Sequence, residues 1–250
     1  METLPKISVV TVCLNAAPML EKTLASVEAQ DYGNIESIVV DGGSTDSTKQ
    51  VVAKFGHVVS KYVSEKDRGI YDAMNKGVGM ASGDYCIFLN AGDTFAASDV
   101  VKRAFEACPE TPPDVVYGDV VKLKPNGGGE TVKRAEKPRN AHRMFFCHQS
   151  SFIKTSCLVD FPYDIRYTMS ADFKLFKLLW KHNKAFFKVD FPISVFDTGG
   201  VSNTNRAEGI RQNIAVIREV DCLVDKTRLL PRLYFVIFVL EIRRLLKKRR

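Results

Sequence analysis

An acidic residue follows a short apolar segment in the first half of the chain. The segment YCIFLNAGD begins with five mostly apolar residues, Tyr85 to Leu89, and ends in Asn90, Ala91, Gly92 and Asp93. In open α/β sheets, ligands bind just outside the carboxyl ends of the strands. A carboxylate there suits a divalent cation shared with a diphosphate. We therefore predict a cation site at Asp93; the alternative is an ordinary turn, since Asn, Gly and Asp are common turn formers.

Three similar segments precede this one, and helical patterns lie between them. The order β-α-β-α-β-α-β in the first 93 residues predicts a mostly parallel sheet with right-handed crossovers. The loops after parallel strands lie on one edge of the sheet, so Asn15, Asp41, Arg68 and Asp93 are expected to converge there. We predict strands at residues 7–12, 37–40, 57–63 and 85–89, and helices at 18–30, 44–55 and 69–83.

Beyond Asp93 the alternation is less regular. Hydrophobic periodicity predicts helices at 99–108, 170–181 and 206–226, and a final helix that Pro231 precedes. We predict strands at 114–117, 120–123, 148–153 and 185–189. Residues 125–129 (PNGGG) form a turn at a hairpin tip, residues 134–143 a polar, basic loop, and residues 197–203 a glycine-containing loop.

The composition is that of a globular protein with an ordinary core. The 250 residues are 45% hydrophobic and 26% charged, enough for one large α/β domain. The net charge is +7, but residues 241–250 hold six basic residues and one acid, which leaves the rest near neutral. A nucleic-acid-binding face is therefore not supported. The six cysteines form no CxxC pair and no zinc-finger spacing, and the first residues lack signal-peptide features, so we expect a cytosolic protein with reduced thiols.

Several common catalytic motifs are missing from the sequence. The turn after the first predicted strand reads CLNAAPML, which is not the GxGxxG of dinucleotide-binding enzymes. The sequence contains neither a Walker A motif nor the GxSxG elbow of α/β hydrolases. Binding of NAD or ATP through those motifs and hydrolysis by a serine elbow are thus excluded.

Four segments together resemble a known family. They are VCLN at 12–15, VVDGGSTDST at 39–48, EKDRGIYDAMNKG at 65–77 and FLNAGD at 88–93. In this order they resemble the family-2 nucleotide-sugar glycosyltransferases, over roughly residues 5–200. The resemblance implies a GT-A (Rossmann-like), mostly parallel central sheet flanked by helices, followed by a C-terminal helical extension.

The resemblance also implies a division of the chain. A glycosyltransferase domain would span residues 1–205, with a nucleotide-binding half at about 1–95 and an acceptor-binding half at about 96–205. Residues 206–250 would form C-terminal helices that end in a basic amphipathic tail.

The residues expected to bind the nucleotide-sugar follow the first four strands. Asp41 would accept hydrogen bonds from the base or ribose; its alternative role is helix capping. Arg68 would lie near the phosphates, because a guanidinium suits an anion; alternatively it is a solvated surface residue. Asp72 and Asn75 are three apart on one helix and could both face the site, or only tie that turn to the preceding loop. The full predicted set is Thr11, Asn15, Asp41, Arg68, Asp72, Asn75 and Asn90.

Asp93 would be the metal ligand, for Mg²⁺ or Mn²⁺. The family usually carries a DxD-like element here, and this chain departs from it with Asn90 and Gly92. One carboxylate remains, which Mg²⁺ tolerates because it keeps several waters and shares phosphate oxygens.

A second carboxylate is expected on the acceptor side. The segment SADF, Ser170 to Phe173, resembles the family's ED-like position, so Asp172 would be the general base of an inverting transfer. The alternative is that Asp172 only favours a helix N-terminus electrostatically. His148 and Gln149 are expected to line the acceptor pocket, although His148 taken alone reads more readily as a buried structural residue.

The C-terminal tail combines an apolar run with a basic cluster. Residues 233–240 (LYFVIFVL) are too few to span a bilayer, which needs ~20 residues. An apolar segment next to six basic residues suits a helix lying on an anionic cytoplasmic leaflet. A core-packed terminal helix and a protein-interaction helix are the alternatives.

These observations predict a metal-dependent, inverting glycosyltransferase. It would use a nucleotide-sugar donor and a saccharide or polyprenyl-linked acceptor, as bacterial surface-polysaccharide enzymes do, at the cytoplasmic face of the membrane. The segment NAGD (90–93) contains only one acid, which leaves open a catalytically degenerate protein that binds a nucleotide-sugar or scaffolds a complex. A nucleotidyltransferase is a weaker alternative, because no glycine-rich, basic phosphate loop follows the first strand.

Overall fold

Four parallel strands form the N-terminal half of the sheet in the computed structural model, which describes residues 4–124, 128–197 and 206–248. They are β1 (Ile7–Cys13), β2 (Ile35–Asp41), β3 (Val59–Ser64) and β4 (Tyr85–Phe88). β1 and β4 are buried along their whole length, as continuous apolar runs in a covered parallel sheet should be. β1 pairs in parallel with β2 on one side and with β4 on the other.

Three helices connect these strands: α1 (Ala17–Glu28), α2 (Thr48–Lys54) and α3 (Ile70–Met80). Each buries one apolar face, and that of α1 includes the fully buried Leu20 and Leu24. The strand order β3-β2-β1-β4 follows from β4 crossing to the free side of β1. The predicted β-α-β-α-β-α-β unit is therefore present, with boundaries shifted by a few residues.

The second half extends the same sheet with mixed strand directions. Its elements are β5 (Thr94–Phe95), α4 (Val100–Glu106), β6 (Val115–Leu123), β7 (Glu130–Lys133), a 3₁₀ turn (His148–Ser150), β8 (Ser151–Lys154), α5 (Thr155–Asp160), α6 (Ala171–Lys181), β9 (Phe186–Asp197), α7 (Arg206–Val220) and α8 (Leu223–Lys248). The whole strand order is β3-β2-β1-β4-β8-β6-β9-β5, with β7 paired to β6. β8 is antiparallel to both β4 and β6, whereas β9 is parallel to β6.

Some predictions for this half were wrong. The two strands predicted at 114–117 and 120–123 are one strand, because pairing with β9 resumes after an irregular register around Asp119. The strand predicted at 148–153 begins as a 3₁₀ turn. Pro231 lies inside α8 instead of preceding the final helix. No strand was predicted at β5 or β7, and no helix was predicted at α5. The predicted loop at 197–203 lies almost wholly outside the described residues, as does most of the hairpin tip at 125–129.

The single helix predicted at 206–226 is interrupted between α7 and α8. Asp221, at the break, is 4% exposed and turned into the protein. Lys177 of α6 lies 2.7 Å from one of its carboxylate oxygens, and Lys181 lies 3.4 Å from the other. A buried charge needs such partners, so these long-range ion pairs, which the local sequence does not reveal, fix the end of α7.

The C-terminal helices share the main core. Ile214 and Ile217 of α7 and Leu229 and Leu233 of α8 belong to the same buried cluster as residues of β1, α3 and α6. The C-terminal helical extension is thus present and packed onto the sheet domain. The division of the chain at about residues 95 and 205 stays a prediction.

Glu36 joins four parts of the sheet at the edge opposite the candidate site. It is 4% exposed. Its Oε1 accepts hydrogen bonds from Ser8 Oγ (2.5 Å) and from the backbone of Ser82 (2.5 Å) and Gly83 (3.0 Å). Lys6 and Lys61 lie 3.2 and 3.4 Å from Oε2. Burial alone would raise the pKa of Glu36, but these donors outweigh it and lower the pKa to about 2.

We expect Glu36→Gln to lower the free energy of unfolding at pH 7 by about 3 kcal/mol, because the depressed pKa measures how strongly the fold prefers the carboxylate. The stabilisation is complete above the unfolded pKa of about 4.3 and is lost as the pH falls towards 2. Urea unfolding at pH 7, 4 and 3 should therefore show wild type and variant converging. The exposed Glu106→Gln is the control, and an unchanged difference at pH 3 would contradict the assignment.

Candidate functional site

The candidate site lies where β4 crosses to the free side of β1. At such a switch in strand order, the loops on either side diverge and leave a crevice at the carboxyl ends of the strands. Asn15 follows β1, Asp41 ends β2 and Asp93 follows β4. The topology thus brings these three predicted site residues to one edge of the sheet.

The carboxylate of Asp41 is fully engaged by groups of the chain itself. Its Oδ1 accepts hydrogen bonds from the amide (2.9 Å) and hydroxyl (2.5 Å) of Ser44. Its Oδ2 accepts from Ser64 Oγ (2.7 Å) and the Tyr62 hydroxyl (3.2 Å). Burial would raise the pKa of Asp41, but these donors hold it below its usual value. A nucleotide would therefore meet an ionised, pre-oriented carboxylate, and would have to exchange with one of these donors to bind it.

Asn15 fixes the turn that follows β2. Its backbone has φ of 48°, a left-handed conformation that Asn tolerates better than most residues. Its Oδ1 accepts a hydrogen bond from the Thr45 amide (2.8 Å), and its own amide donates to Ser44 Oγ (2.7 Å). Thr11 lies differently: it is 0% exposed within β1, and no described residue pairs with its Oγ1. Thr11 is thus enclosed within the sheet, and its role in the nucleotide pocket stays a prediction.

Three predicted residues, Arg68, Asp72 and Asn75, lie in α3 or just before it. Asp72 accepts hydrogen bonds from the amide (2.9 Å) and the guanidinium (3.0 Å) of Arg68, and these lower the pKa of Asp72. It therefore ties the helix to the preceding loop, as the alternative interpretation proposed. The Arg68 side chain is otherwise 75% exposed. Asn75 points elsewhere: its side-chain amide exchanges two hydrogen bonds with the backbone of Tyr163, at 2.8 and 2.9 Å.

The turn that carries Asp93 is fastened to α1. Thr23 Oγ1 donates to the Asp93 carbonyl (2.7 Å) and accepts from the Gly92 amide (2.9 Å). Gly92 has φ of 104°, a conformation that an aspartate rarely adopts, which accounts physically for the missing acid at this position. The Asn90 amide donates to Asp93 Oδ2 at 3.2 Å.

Asp93 is a buried carboxyl group with few donors. It is 7% exposed, and burial raises its pKa to about 7 despite His148, the Asn90 amide, Gln149 and Lys22, which act in the opposite direction. A bound cation would supply the missing positive charge. The buried Asn90 Oδ1, which has no hydrogen-bond partner among the described residues, would offer a second hard oxygen.

The donor set fits a weakly protein-held Mg²⁺ or Mn²⁺, which takes its other ligands from water and phosphate. Among residues 4–124, 128–197 and 206–248, no three His, Cys, Asp or Glu side chains are grouped closely enough to hold a metal ion. Tight binding by protein ligands alone is therefore not expected. The ion would depend on the diphosphate of the donor.

Asp172 lies in the first turn of α6 and is held by two other elements. Its Oδ1 accepts hydrogen bonds from the Phe173 amide (2.7 Å) and from the Tyr71 hydroxyl of α3 (3.2 Å). Its Oδ2 lies 3.3 Å from Nδ1 of His148 in the 3₁₀ turn. The side chains of Asp172 and His148 are 16% and 14% exposed.

The 3₁₀ turn places His148 and Gln149 between the two carboxylates. His148 contacts Asp172, and both residues also influence the ionisation of Asp93. The Cys147 thiol donates to Gln149 Oε1 at 2.8 Å. His148 is thus largely buried, and its position between the two acids links it to both sides of the site.

Sequence reasoning missed Tyr71 and Thr23. Tyr71 lies one helical turn before Asn75, and that spacing puts both on the side of α3 that faces the segment before α6. Nothing in the local sequence marks Thr23, because a threonine in the middle of a helix is ordinary. Its role depends on the turn that the fold places next to it. Both act through hydrogen bonds to residues about 70 to 100 positions away.

Comparison with known proteins identifies the relatives of this chain. The model of the family described as Glycosyl transferase family 2 matches residues 8–161. A PGL/p-HBAD biosynthesis glycosyltransferase of Mycobacterium bovis is 31% identical over 241 residues, 93% of this chain and 90% of that protein. The glycosyltransferase AglE of Haloferax volcanii is 33% identical over 131 residues, 50% of this chain and 43% of that protein.

Solved structures share the fold at low sequence identity. The mannosyltransferase PcManGT from Pyrobaculum calidifontis, in complex with GDP-Man and Mn²⁺, aligns with a TM-score of 0.66 at 19% identity, over 95% of this chain and 70% of that one. TarS 1–349 of S. aureus, in complex with UDP, aligns with a TM-score of 0.64 at 19% identity, over 87% and 67%. The mixed sheet flanked by helices is thus the GT-A fold.

We expect Thr23→Val to lower the free energy of unfolding by about 1–3 kcal/mol, because it removes the hydroxyl that donates to the Asp93 carbonyl and leaves the Gly92 amide only its longer hydrogen bond to the Met19 carbonyl. The same change should loosen the turn and weaken any Mn²⁺-dependent nucleotide binding. Thr23→Ser keeps the hydroxyl and is the matched control. Urea unfolding measures the first effect and titration calorimetry the second. Equal stabilities and equal affinities for the Val and Ser variants would show that the Thr23 hydroxyl is not needed to hold the turn.

Proposed function

The chain belongs to glycosyl transferase family 2, and from that premise we propose that it transfers one sugar from a nucleotide-sugar donor to a saccharide or lipid-linked acceptor with inversion. One observation carries the proposal. A buried carboxyl group without enough donors, Asp93, follows β4, and a second carboxylate, Asp172, heads α6; His148 lies next to Asp172 and influences the ionisation of Asp93. Such a pair supplies a donor-side and an acceptor-side group for one transfer.

The donor side would form around β1, β2 and the NAGD turn. Asn15 and Ser44 hold the turn that presents Asp41 to the base or ribose. Arg68, being exposed, would reach the phosphates. A divalent cation, when held by Asp93 with Asn90, would neutralise charge on the departing diphosphate.

The acceptor side would form around α6. The acceptor oxygen attacks the anomeric carbon from the face opposite the diphosphate, and its proton passes to the Asp172 carboxylate. A bond forms between that oxygen and the anomeric carbon, while the bond from the carbon to the diphosphate oxygen breaks and its electron pair leaves with the diphosphate. Attack from the opposite face inverts the configuration. Gln149 would line the acceptor pocket beside His148.

A catalytically degenerate protein remains the second candidate function. The observation that favours it is the single carboxylate of the NAGD turn, with no three-residue metal cluster in the described parts of the chain. Such a protein would bind the nucleotide-sugar without transferring it.

Turnover by two variants distinguishes these functions. A thermal-shift screen of nucleoside diphosphates and their sugars with Mn²⁺ or Mg²⁺ first identifies the donor. We expect Asp172→Asn to lower the release of nucleoside diphosphate about 10²–10⁴-fold while donor binding is kept. Asp93→Asn should weaken Mn²⁺-dependent donor binding as well. Asp190→Asn, on an exposed side chain, is the control.

Two results would contradict the proposal. Equal, background-level turnover in wild type and both variants, with donor binding intact, would favour the degenerate protein. Retention of anomeric configuration in the product, observed by NMR, would exclude an inverting transfer by Asp172.

We further propose that α8 lies on an anionic membrane surface at the cytoplasmic face. No helix of the described residues is both long and apolar enough to cross a bilayer. One face of α8 is nevertheless mainly apolar and exposed over roughly 29 Å, with Thr227 and Glu241 as its polar members. At 3.6 residues per turn its members fall within an arc of about 120°. Its apolar members are Leu223, Val224, Tyr234, Phe235, Phe238 and Ile242, each 40–76% exposed.

The charges around this apolar face favour lipid as its partner. Arg228 and Arg232 are exposed and border it, and the sequence adds six basic residues at 243–250, whose side chains lie outside the described part of the structure. A basic amphipathic helix of this kind binds anionic headgroups with its apolar residues at the acyl boundary. The opposite face of α8, with Leu229 and Leu233, packs on the core. The apolar residues 233–240 therefore contribute to the core on one face of the helix and to the exposed surface on the other.

Replacing two exposed phenylalanines tests this proposal. We expect Phe235→Gln with Phe238→Gln to weaken binding to phosphatidylglycerol-containing vesicles at least about tenfold, since each ring contributes on the order of 1 kcal/mol. Val159→Gln, on an exposed valine of α5, is the matched control. Vesicle co-sedimentation measures the effect. Unchanged vesicle binding, or a dimer in light scattering that the double variant dissociates, would contradict the membrane assignment.

A further inference from the structure

The hydrogen-bond capacity of the Asp172 carboxylate is almost filled. An ionised carboxylate offers about four lone-pair sites, two on each oxygen. Oδ1 uses both of its sites, for the Phe173 amide and the Tyr71 hydroxyl. Oδ2 lies 3.3 Å from Nδ1 of His148, an ion-pair distance at which the two atoms are not hydrogen-bonded in this structure. Contacts between catalytic groups often shorten when the substrate binds, and a small movement of the ring would form this bond. One site would then remain, and it lies on Oδ2.

The surroundings of His148 determine which ring nitrogen carries its proton. A carboxylate only accepts hydrogen bonds, so the nitrogen that faces it, Nδ1, must be the donor. The other nitrogen, Nε2, is buried and has no hydrogen-bond partner among the described residues. A proton on Nε2 would leave a buried donor unsatisfied, which costs more than a bare lone pair there. When the ring carries a single hydrogen, these contacts therefore place it on Nδ1.

We propose that His148 is a positioning residue for the transfer: its Nδ1–H and the Tyr71 hydroxyl together orient Asp172 so that one lone pair of Oδ2 faces the acceptor hydroxyl. The inference rests on the proposed function. In the transfer the acceptor O–H bond breaks and an Oδ2–H bond forms, while Oδ2 keeps accepting from Nδ1. His148 itself neither gains nor loses a proton.

The arrangement explains how a short 3₁₀ turn contributes to a site on another element. Tyr71 reaches Asp172 from α3, and His148 reaches it from the segment before β8. Two donors from two directions leave the carboxylate one rotamer. If either donor is removed, Asp172 keeps its place in α6 but can rotate, which lowers the rate of proton transfer without affecting the donor site.

Two amide substitutions separate the two ring nitrogens. The side-chain amide of asparagine ends where Nδ1 of histidine lies, and that of glutamine reaches the position of Nε2. His148→Asn can therefore still donate to Asp172, whereas His148→Gln can replace only the contacts of Nε2. The exposed His182→Ala is the control outside the site.

With the nucleotide-sugar found in the screen, we expect His148→Ala to lower kcat about 10–100-fold with little change in the KM for the donor. His148→Asn should restore most of that loss, and His148→Gln should not. The thermal midpoint and the affinity for the nucleoside diphosphate should stay at their wild-type values in all three variants. If glutamine restores kcat and asparagine does not, Nε2 is the functional atom and the proposal is wrong.

A spectroscopic measurement tests the tautomer without any substrate. In protein labelled with ¹⁵N-histidine, the ring signals that disappear in His148→Asn belong to His148. We expect them to show hydrogen on Nδ1 at pH 8 in the wild type, and to shift towards the Nε2–H form in Asp172→Ala. An Nε2–H ring in the wild type overturns the inference even if the protein is an active transferase. Absence of turnover with the expected spectrum would instead count against the proposed function alone.

Discussion

The parallel pairing of β4 with β1 is the constraint on which the site depends. The register sets Val10 opposite Phe88, so the NAGD turn emerges beside the end of β1. Helix α3 must then pack directly on the strands, and Gly77 permits it: a side chain there would lie 2.3 Å from Val10 Cγ1. Because α3 lies this close to β1, Tyr71 at its start can reach Asp172. A larger residue at position 77 would displace the helix and with it one donor to the carboxylate.

Three buried carboxyl groups show how the same residue chemistry serves different purposes. Glu36 and Asp41 are each surrounded by donors from the chain, which lower their pKa values against the effect of burial. Asp93 has too few donors, and its pKa is raised to about 7. The first two groups are satisfied within the folded protein, so they stabilise it. Asp93 lacks enough donors and positive charge around it, and a buried carboxyl group in that state does not stabilise the fold.

The sequence was sufficient for the parts of the fold that depend on local patterns. Continuous apolar runs ending in Asp41 and near Asp93 predicted the parallel strands and the edge of the sheet where the site lies. Contacts between residues far apart in sequence could not be predicted from local patterns. Examples are the hydrogen bonds of Thr23 to the NAGD turn and of Glu36 to Ser82, and the ion pair of Lys177 with Asp221. They arise only when the fold brings together elements that are remote in sequence.

The predicted boundary of the final helix was wrong for a related reason. A proline usually marks a first turn, but Pro231 lies inside α8 on its exposed side. The burial of Leu229 and Leu233 on either side of it holds the helix together across the proline. Tertiary packing thus overrides the local preference, as it does for most helices.

The helix that presents Asp172 is fixed to the helix that carries the exposed apolar face. Lys174 of α6 lies 2.6 Å from Glu219 of α7, and the Met169 amide donates to Gln212 of α7 at 2.9 Å. α7 in turn packs against α8. A protein that lies on lipid through α8 would therefore hold its acceptor-side carboxylate at a set height above the membrane. For a lipid-linked acceptor, whose reacting hydroxyl also has a set height, this rigid chain of contacts would supply part of the alignment that transfer requires.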